Sequence, residues 1–242
     1  MIDIGKTTHL GKIRQINEDS FLIEERETFV LLVVADGMGG HNAGEVASMM
    51  AIQCMAEYIE KNGVDDADDA LRSAICYANK EIHFKASNVQ KNRGMGTTVT
   101  AALIKGNDVV VANVGDSRTY LYRQGLLNQI TKDHSYVQQL VDKKLISAEE
   151  EKSHPQRNLI TRAVGTAKRV IVDTFKLTLE SEDVLMLCSD GLTSHVTDEK
   201  IASILTSRSD ASALTYLLQT EALKRGGSDN ITIIVAKTGK EE

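Results

Sequence analysis

The chain has 242 residues, 42% of them hydrophobic and 26% charged, with 17 Gly, one Pro and no Trp. That length and apolar share suit one globular domain over residues 1–242, and no linker, low-complexity tract or fixed repeat divides it. The formal charge of −6 comes from interspersed acids and bases rather than a basic stripe, which argues against nucleic acid and membrane surfaces as partners.

In chain order, buried-type apolar runs bounded by turn residues predict strands at 28–35, 97–104, 108–114, 118–123, 170–177, 183–188 and 231–237. Short turns such as Lys105-Gly106-Asn107 favour antiparallel hairpins between them. Helical periodicity is clear over 44–61, with Val46, Met49, Met50, Cys54 and Ile59 on one side, and recurs over 65–85 and 210–224. Long helices between groups of strands predict an α+β layered domain with antiparallel sheets. Residues 133–158 differ: short, charged helical stretches around Pro155 read as a surface excursion, a candidate flap.

Four aspartates stand where apolar runs end: Asp36 in LLVVADGMGGH, Asp116 in VVVANVGDSR, Asp190 in VLMLCSDG and Asp229 in GGSDNITIIV. A charge at the border of a core costs several kcal/mol unless paired or metal-bound. An oxygen-rich set with little His or Cys suits Mg²⁺ or Mn²⁺ rather than zinc. Gly37, Gly39 and Gly40 let main-chain carbonyls approach a ligand, so a cation could take the Asp36 carboxylate and the Gly37 carbonyl together. Taken singly, Asp36 reads equally as the cap of the helix that follows. Two ions bridged by a water would generate hydroxide at neutral pH and clamp an in-line displacement at phosphorus. Arg14 could hold the phosphate bidentately. The segment Gly5-Lys6-Thr7-Thr8-His9-Leu10-Gly11-Lys12 has its glycines one position too far apart for a P-loop, and Ile13 stands where Ser or Thr would meet the metal.

RxxNED (14–19), VADGMGGHNAGEVAS (34–48), GTT (96–98), NVGDSR (113–118), NLITRAVG (158–165), LCSDGLT (187–193) and GGSDNITIIV (226–235) together resemble the metal-dependent serine/threonine protein phosphatases of type 2C, bacterial branch. The resemblance implies a four-layer α/β/β/α sandwich of two antiparallel sheets flanked by helices, with a dinuclear Mn²⁺ or Mg²⁺ site in a cleft at one end. By position, it makes Asp36 the ligand bridging both ions, Gly37 a carbonyl ligand, and Asp190 and Asp229 the remaining ligands of one ion. Glu18 and Asp19 match residues that hold metal-bound waters, Arg14 the phosphate binder, and Asp116 with Asp190 the holders of a third, weaker metal. The segment after Asp133 matches the family's flap.

The implied activity is hydrolysis of phosphoserine and phosphothreonine in proteins by a metal-bridging hydroxide, opposing a bacterial Ser/Thr kinase. One departure from animal members is Met38 after the Asp-Gly pair. The general acid is then His41, or a water on the third metal, with His41 only a turn residue. The alternatives are a catalytically silent regulatory module of the same fold and a small-molecule phosphate hydrolase; an aromatic content of 4% offers a nucleotide base few stacking platforms. Cys54, Cys76 and Cys188 fit neither a zinc motif nor a disulfide framework. With no signal-peptide core and no apolar run of about 20 residues, the expectation is a cytoplasmic monomer.

Overall fold

The computed structural model describes residues 2–39, 43–207 and 209–239. Its order is β1 (Ile2–His9), β2 (Asp19–Glu25), β3 (Val30–Met38), α1 (Ala43–Asn62), α2 (Ala67–Asn88), β4 (Gly96–Thr97), β5 (Val99–Lys105), β6 (Asp108–Val114), β7 (Arg118–Arg123) and β8 (Leu126–Gln129). It continues with α3 (Tyr136–Asp142), α4 (Ala148–Ser153), β9 (Asp173–Thr178), β10 (Val184–Cys188), α5 (Asp190–Thr193), α6 (Asp198–Leu205), α7 (Ala211–Lys224) and β11 (Ile231–Thr238).

The strands form two antiparallel sheets. One runs β1-β11-β10-β7-β8, and the other β2-β3-β5-β6-β9 with β4 paired to β3. The side-chain period of two explains how central strands can be apolar on both faces. In β3, Leu31, Val33 and Ala35 face α1 and α2, while Leu32 and Val34 face the other sheet. In β11, Ile231, Ile233 and Val235 face α6 and α7, while Ile234 and Ala236 meet Leu32 and Val34 in the layer between the sheets. Three apolar layers thus separate four structural ones, giving the α/β/β/α sandwich and the α+β class.

The helices follow from caps and small residues. The Asp66 side chain accepts from the backbone N–H groups of Asp68 (2.8 Å) and Asp69 (3.1 Å) to start α2. The Asp210 carboxylate accepts from Ala213 N (2.7 Å) to start α7. Ala43, Ala47 and Ala51 recur every fourth residue along α1 and are buried, which brings that helix close to β3 at the end of the sheet that carries Asp36.

Several elements depart from the sequence expectation. The first apolar strand runs on to Met38, so Asp36 lies inside β3, opposite Asp19 of β2, rather than in a turn. The strand expected over 170–177 begins at Asp173. Strands β1, β2 and β8 and helix α6 lie in segments where no regular element was expected. β1, β2 and β8 are sheet-edge strands, and an edge strand needs no continuous apolar run. The Gly5–Lys12 segment begins within β1, which ends at His9, and an added Cβ on Gly5 would fall 2.2 Å from the Ala211 carbonyl carbon of α7. Among the described residues no helix is long and apolar enough to cross a membrane.

Candidate metal centre

The two sheets deliver carboxylates to one end of the sandwich from opposite sides. Asp19 and Asp36 are register partners on β2 and β3, while Asp190 follows β10 and Asp229 precedes β11 in the other sheet. Asp36 is fixed through its backbone: its carbonyl accepts from Thr98 N (2.8 Å) and Thr97 Oγ1 (2.9 Å), and its N–H donates to Thr98 Oγ1 (3.0 Å). The GTT run therefore grips the Asp36 peptide and leaves its carboxylate free of that task. At Gly37 the strand passes hard against the start of α1. Its N–H donates to Glu18 O (3.1 Å), and a Cβ would fall 2.2 Å from Gly44 O.

The Asp190 and Asp229 loops are pressed together in a similar way. A Cβ on Gly191 would fall 1.9 Å from Asn230 O, so only glycine lets the start of α5 sit on the 229–230 turn. Ser189 bridges the sheets. Its hydroxyl accepts from Thr232 N (3.0 Å) and donates to Asp19 Oδ2 (2.8 Å). Asn230 ties down the loop bearing Arg14 and Glu18: Oδ1 accepts from Glu18 N (2.8 Å), and Nδ2 donates to Leu10 O (2.9 Å) and Ile16 O (3.0 Å). Arg14, half-exposed, donates from Nη2 to Asp229 Oδ2 at 2.9 Å and lies 4.0 Å from Glu18 Oε2. That bond to Asp229 holds the guanidinium pKa above its ordinary value.

The electrostatics mark Asp36 as the centre. Burial pushes its carboxyl well above the ordinary range, and the charges of Asp19, Asp190, Asp116 and Asp229 push it further. Burial first, then neighbouring carboxylates, raise Asp19 to about 7, Asp190 to about 6 and Asp116 to about 8. A shared hydrogen bond with Asp36 partly offsets the rise at Asp190. Burial also raises Glu18. Asp19 Oδ1 is buried and has no hydrogen-bond partner. Such a group is costly as it stands, and a cation would satisfy the orphan oxygen and the mutual repulsion together. Among the described residues no three acidic, His or Cys side chains already converge on one coordination point. The fit therefore rests on the all-oxygen donor set and its uncompensated charge, both of which suit hard divalent ions.

The structure thus brings Arg14, Glu18, Asp19, Asp36, Gly37, Asp116, Asp190 and Asp229 to one region; His41 lies outside the described residues. A cleft of about 500 Å³ runs from Asp116 and Asp190 along Arg118, Asp133, Arg157 and His195, between the 133–158 segment and the start of α6. His195 accepts from Ser228 N through Nε2 (3.1 Å) and so braces the approach to Asp229. The sequence reading missed Ser189 and Asn230 as anchors. Their only signal is their place beside Asp190 and Asp229.

The protein phosphatase 2C family model matches residues 8–224. The serine/threonine phosphatase stp of Listeria monocytogenes is 40% identical over 235 residues, 95% of this chain and 93% of that protein. A solved structure of the S. agalactiae serine/threonine phosphatase superposes with a TM-score of 0.92 at 35% identity, covering 98% of this chain and all of the other. The catalytic domain of the phosphatase PstP, solved in complex with 2 manganese ions, superposes with a TM-score of 0.85 at 36% identity, covering 99% of each chain. Sheet order, the clustered carboxylates and these likenesses converge, and the chain belongs to the protein phosphatase 2C family.

Proposed function

We propose that this chain is a bacterial serine/threonine protein phosphatase that hydrolyses phosphoserine and phosphothreonine esters with divalent cations held by Asp36, the Gly37 carbonyl, Asp190 and Asp229. The observation that carries the site assignment is the buried Asp36 placed opposite Asp19 across β2 and β3, with Asp19 Oδ1 lacking a partner and the charges of Asp190, Asp116 and Asp229 near enough to raise the Asp36 carboxyl further. Glu18 and Asp19, the latter with its unpartnered oxygen, would hold metal-bound waters, and Asp116 with Asp190 would offer a further weak position. When bound, the cations supply Lewis acidity toward the phosphoryl group and lower the pKa of water.

The chain's own residues do the rest. Arg14 is anchored by one nitrogen to Asp229 and keeps its other N–H groups for phosphoryl oxygens. Asn230 holds the loop that aims it. The cleft beside Asp116 gives the polypeptide on either side of the phosphorylated residue a place to lie. The leaving serine or threonine oxygen needs a proton, and His41 is the proposed donor. Manganese is the preferred ion to test, since the PstP catalytic domain was solved with it. We assign the protein to the cytoplasm as a monomer acting on phosphorylated proteins, a Ser/Thr kinase among them.

Phosphate release from a phosphothreonine peptide should require Mn²⁺, cease with EDTA, and be lost in Asp190→Asn with Mn²⁺ present. Turnover that survives EDTA or Asp190→Asn in folded protein would remove the metal reading. A clear preference for nucleoside phosphates over the peptide would remove the protein-phosphatase one.

A further inference from the structure

His134 is 7% exposed and carries more polar connections than a loop residue needs. Its backbone N–H donates to Gly115 O (2.9 Å), and the Gly115 N–H donates back to its Nδ1 (3.0 Å). Gly115, the residue immediately before Asp116, is thus held at both its N–H and its C=O by one residue. Gly115 has no freedom to substitute for that grip: its φ is +109°, and a Cβ there would fall 2.6 Å from the Thr98 side chain.

The far side of the ring faces another element. Nε2 lies 3.1 Å from Asp173 Oδ2 at the start of β9, and Arg162 Nη1 donates to Asp173 Oδ1 (2.7 Å) while lying 3.0 Å from the same Nε2. The His134 carbonyl accepts from Thr161 N (2.7 Å) and Thr161 Oγ1 (3.0 Å). With the Ser135–Ile160 bridge and the bond from Tyr136 N to Leu159 O (2.7 Å), this closes the neck of the 136–158 excursion.

The ring's protonation follows from its partners. A backbone N–H can only donate, so Nδ1 must be the bare nitrogen, and Nε2 carries the proton that Asp173 accepts. Burial lowers the His134 pKa, in keeping with a neutral ring. Hydrogen bonds from Arg162 and His134 outweigh burial at Asp173 and hold its carboxyl below its ordinary value, ready as an acceptor.

We propose that His134 is a positioning residue of the phosphatase, which in its Nε2-protonated form clamps the Asp116 loop to the neck of the flap. It touches no reacting atom. The inference rests on the proposed metal role of Asp116, and it adds that the weak ion position there depends on the flap neck through this one ring.

Two substitutions separate the ring's arms. In His134→Asn, Oδ1 stands near the place of Nδ1 and can accept from Gly115, but the side chain is too short for Asp173. His134→Gln reaches Asp173 as a donor and leaves Gly115 without an acceptor. Full-length protein should be titrated with Mn²⁺ by calorimetry, and exchange of the Gly115 amide followed by NMR, in both variants and in Asp116→Asn. His134→Gln should weaken the weakest Mn²⁺ site by about tenfold, the worth of one hydrogen bond, and lose Gly115 protection; His134→Asn should keep Gly115 protection yet still weaken that site, because it is cut from Asp173. Retention of both in His134→Gln, or an unweakened Mn²⁺ site in His134→Asn, would overturn the clamp. If neither variant folds, the ring ¹⁵N spectrum of the unaltered protein decides, since a proton found on Nδ1 contradicts the proposal. Failure of the Asp116 role shows separately, as Asp116→Asn binding Mn²⁺ like the unaltered protein, and Gly115 protection then judges the clamp.

Discussion

Removing divalent cations should make the stability of this fold fall as pH rises, with Asp19 as the measurable part. Asp19 is 8% exposed, its pKa is raised from 3.8 to about 7, and burial is the largest cause. A carboxyl whose folded pKa lies above its unfolded value binds more protons folded than unfolded between the two. Unfolding free energy therefore drops with pH across that window and levels off above it. Three pK units at 1.36 kcal/mol each give on the order of 4 kcal/mol, of which about 2 kcal/mol falls between pH 5 and pH 7. Urea unfolding followed by circular dichroism in EDTA, from pH 5 to 8, should show the unaltered protein losing about that much relative to Asp19→Asn, which can still accept the Ser189 hydroxyl. Mn²⁺ added at pH 8 should stabilise the unaltered protein more than the variant, which keeps Asp36, Asp190 and Asp229 but lacks the charge at position 19. A difference curve that stays flat over the window, or slopes the other way, would refute the idea that a compressed carboxylate cluster is what the cation relieves.

Asp36→Asn and Asp229→Asn should abolish phosphopeptide turnover while far-UV circular dichroism stays native, because these side chains serve ions rather than the core; retained turnover in either removes that residue from the site. Arg14→Ala should raise KM for the phosphopeptide without lowering Mn²⁺ affinity by calorimetry, since Arg14 competes for the Asp229 carboxylate; a fall in metal affinity would mean its role is misassigned. Asn230→Ala strips three bonds from the loop bearing Arg14 and Glu18 and should cost about 3 kcal/mol in urea unfolding. A loss within a few tenths of a kcal/mol would show that the loop is held by other means. His41→Ala should slow phosphothreonine peptides far more than an aryl phosphate with a good leaving group; equal slowing argues against a general acid.

The sequence is most readable where burial leaves a periodic trace. Strands β3, β5, β6, β10 and β11 are apolar on both faces because each lies between a helical layer and the opposite sheet. Their runs stand out without any knowledge of partners. Edge strands leave no such trace: β1 alternates Ile2 and Ile4 with exposed or half-exposed polar residues, and its pairing with β11 joins residues more than two hundred positions apart. The carboxylates of the site were visible as charges at the ends of apolar runs. That Asp36 sits within its strand was not, because Asp is a poor strand former and only pairing with β2 and β4 carries the strand that far. Ser189, Asn230 and His134 stayed hidden for a related reason. What they hold is far away in sequence, and a long-range side-chain hydrogen bond has no period.

Asp36 and Asp229 belong to different sheets, and the strand that follows Asp229 is the one that receives β1. A ribosome delivers this chain from the N-terminus, so a nascent polypeptide that already holds Asp19 and Asp36 has half a pocket and no first-strand partner until the last strand is made. On the proposed role of Asp229, catalytic competence is then a late event in biogenesis, and a product truncated before residue 229 is expected to be inert rather than unregulated. For a protein phosphatase, that ordering confines activity to chains whose two sheets have already docked.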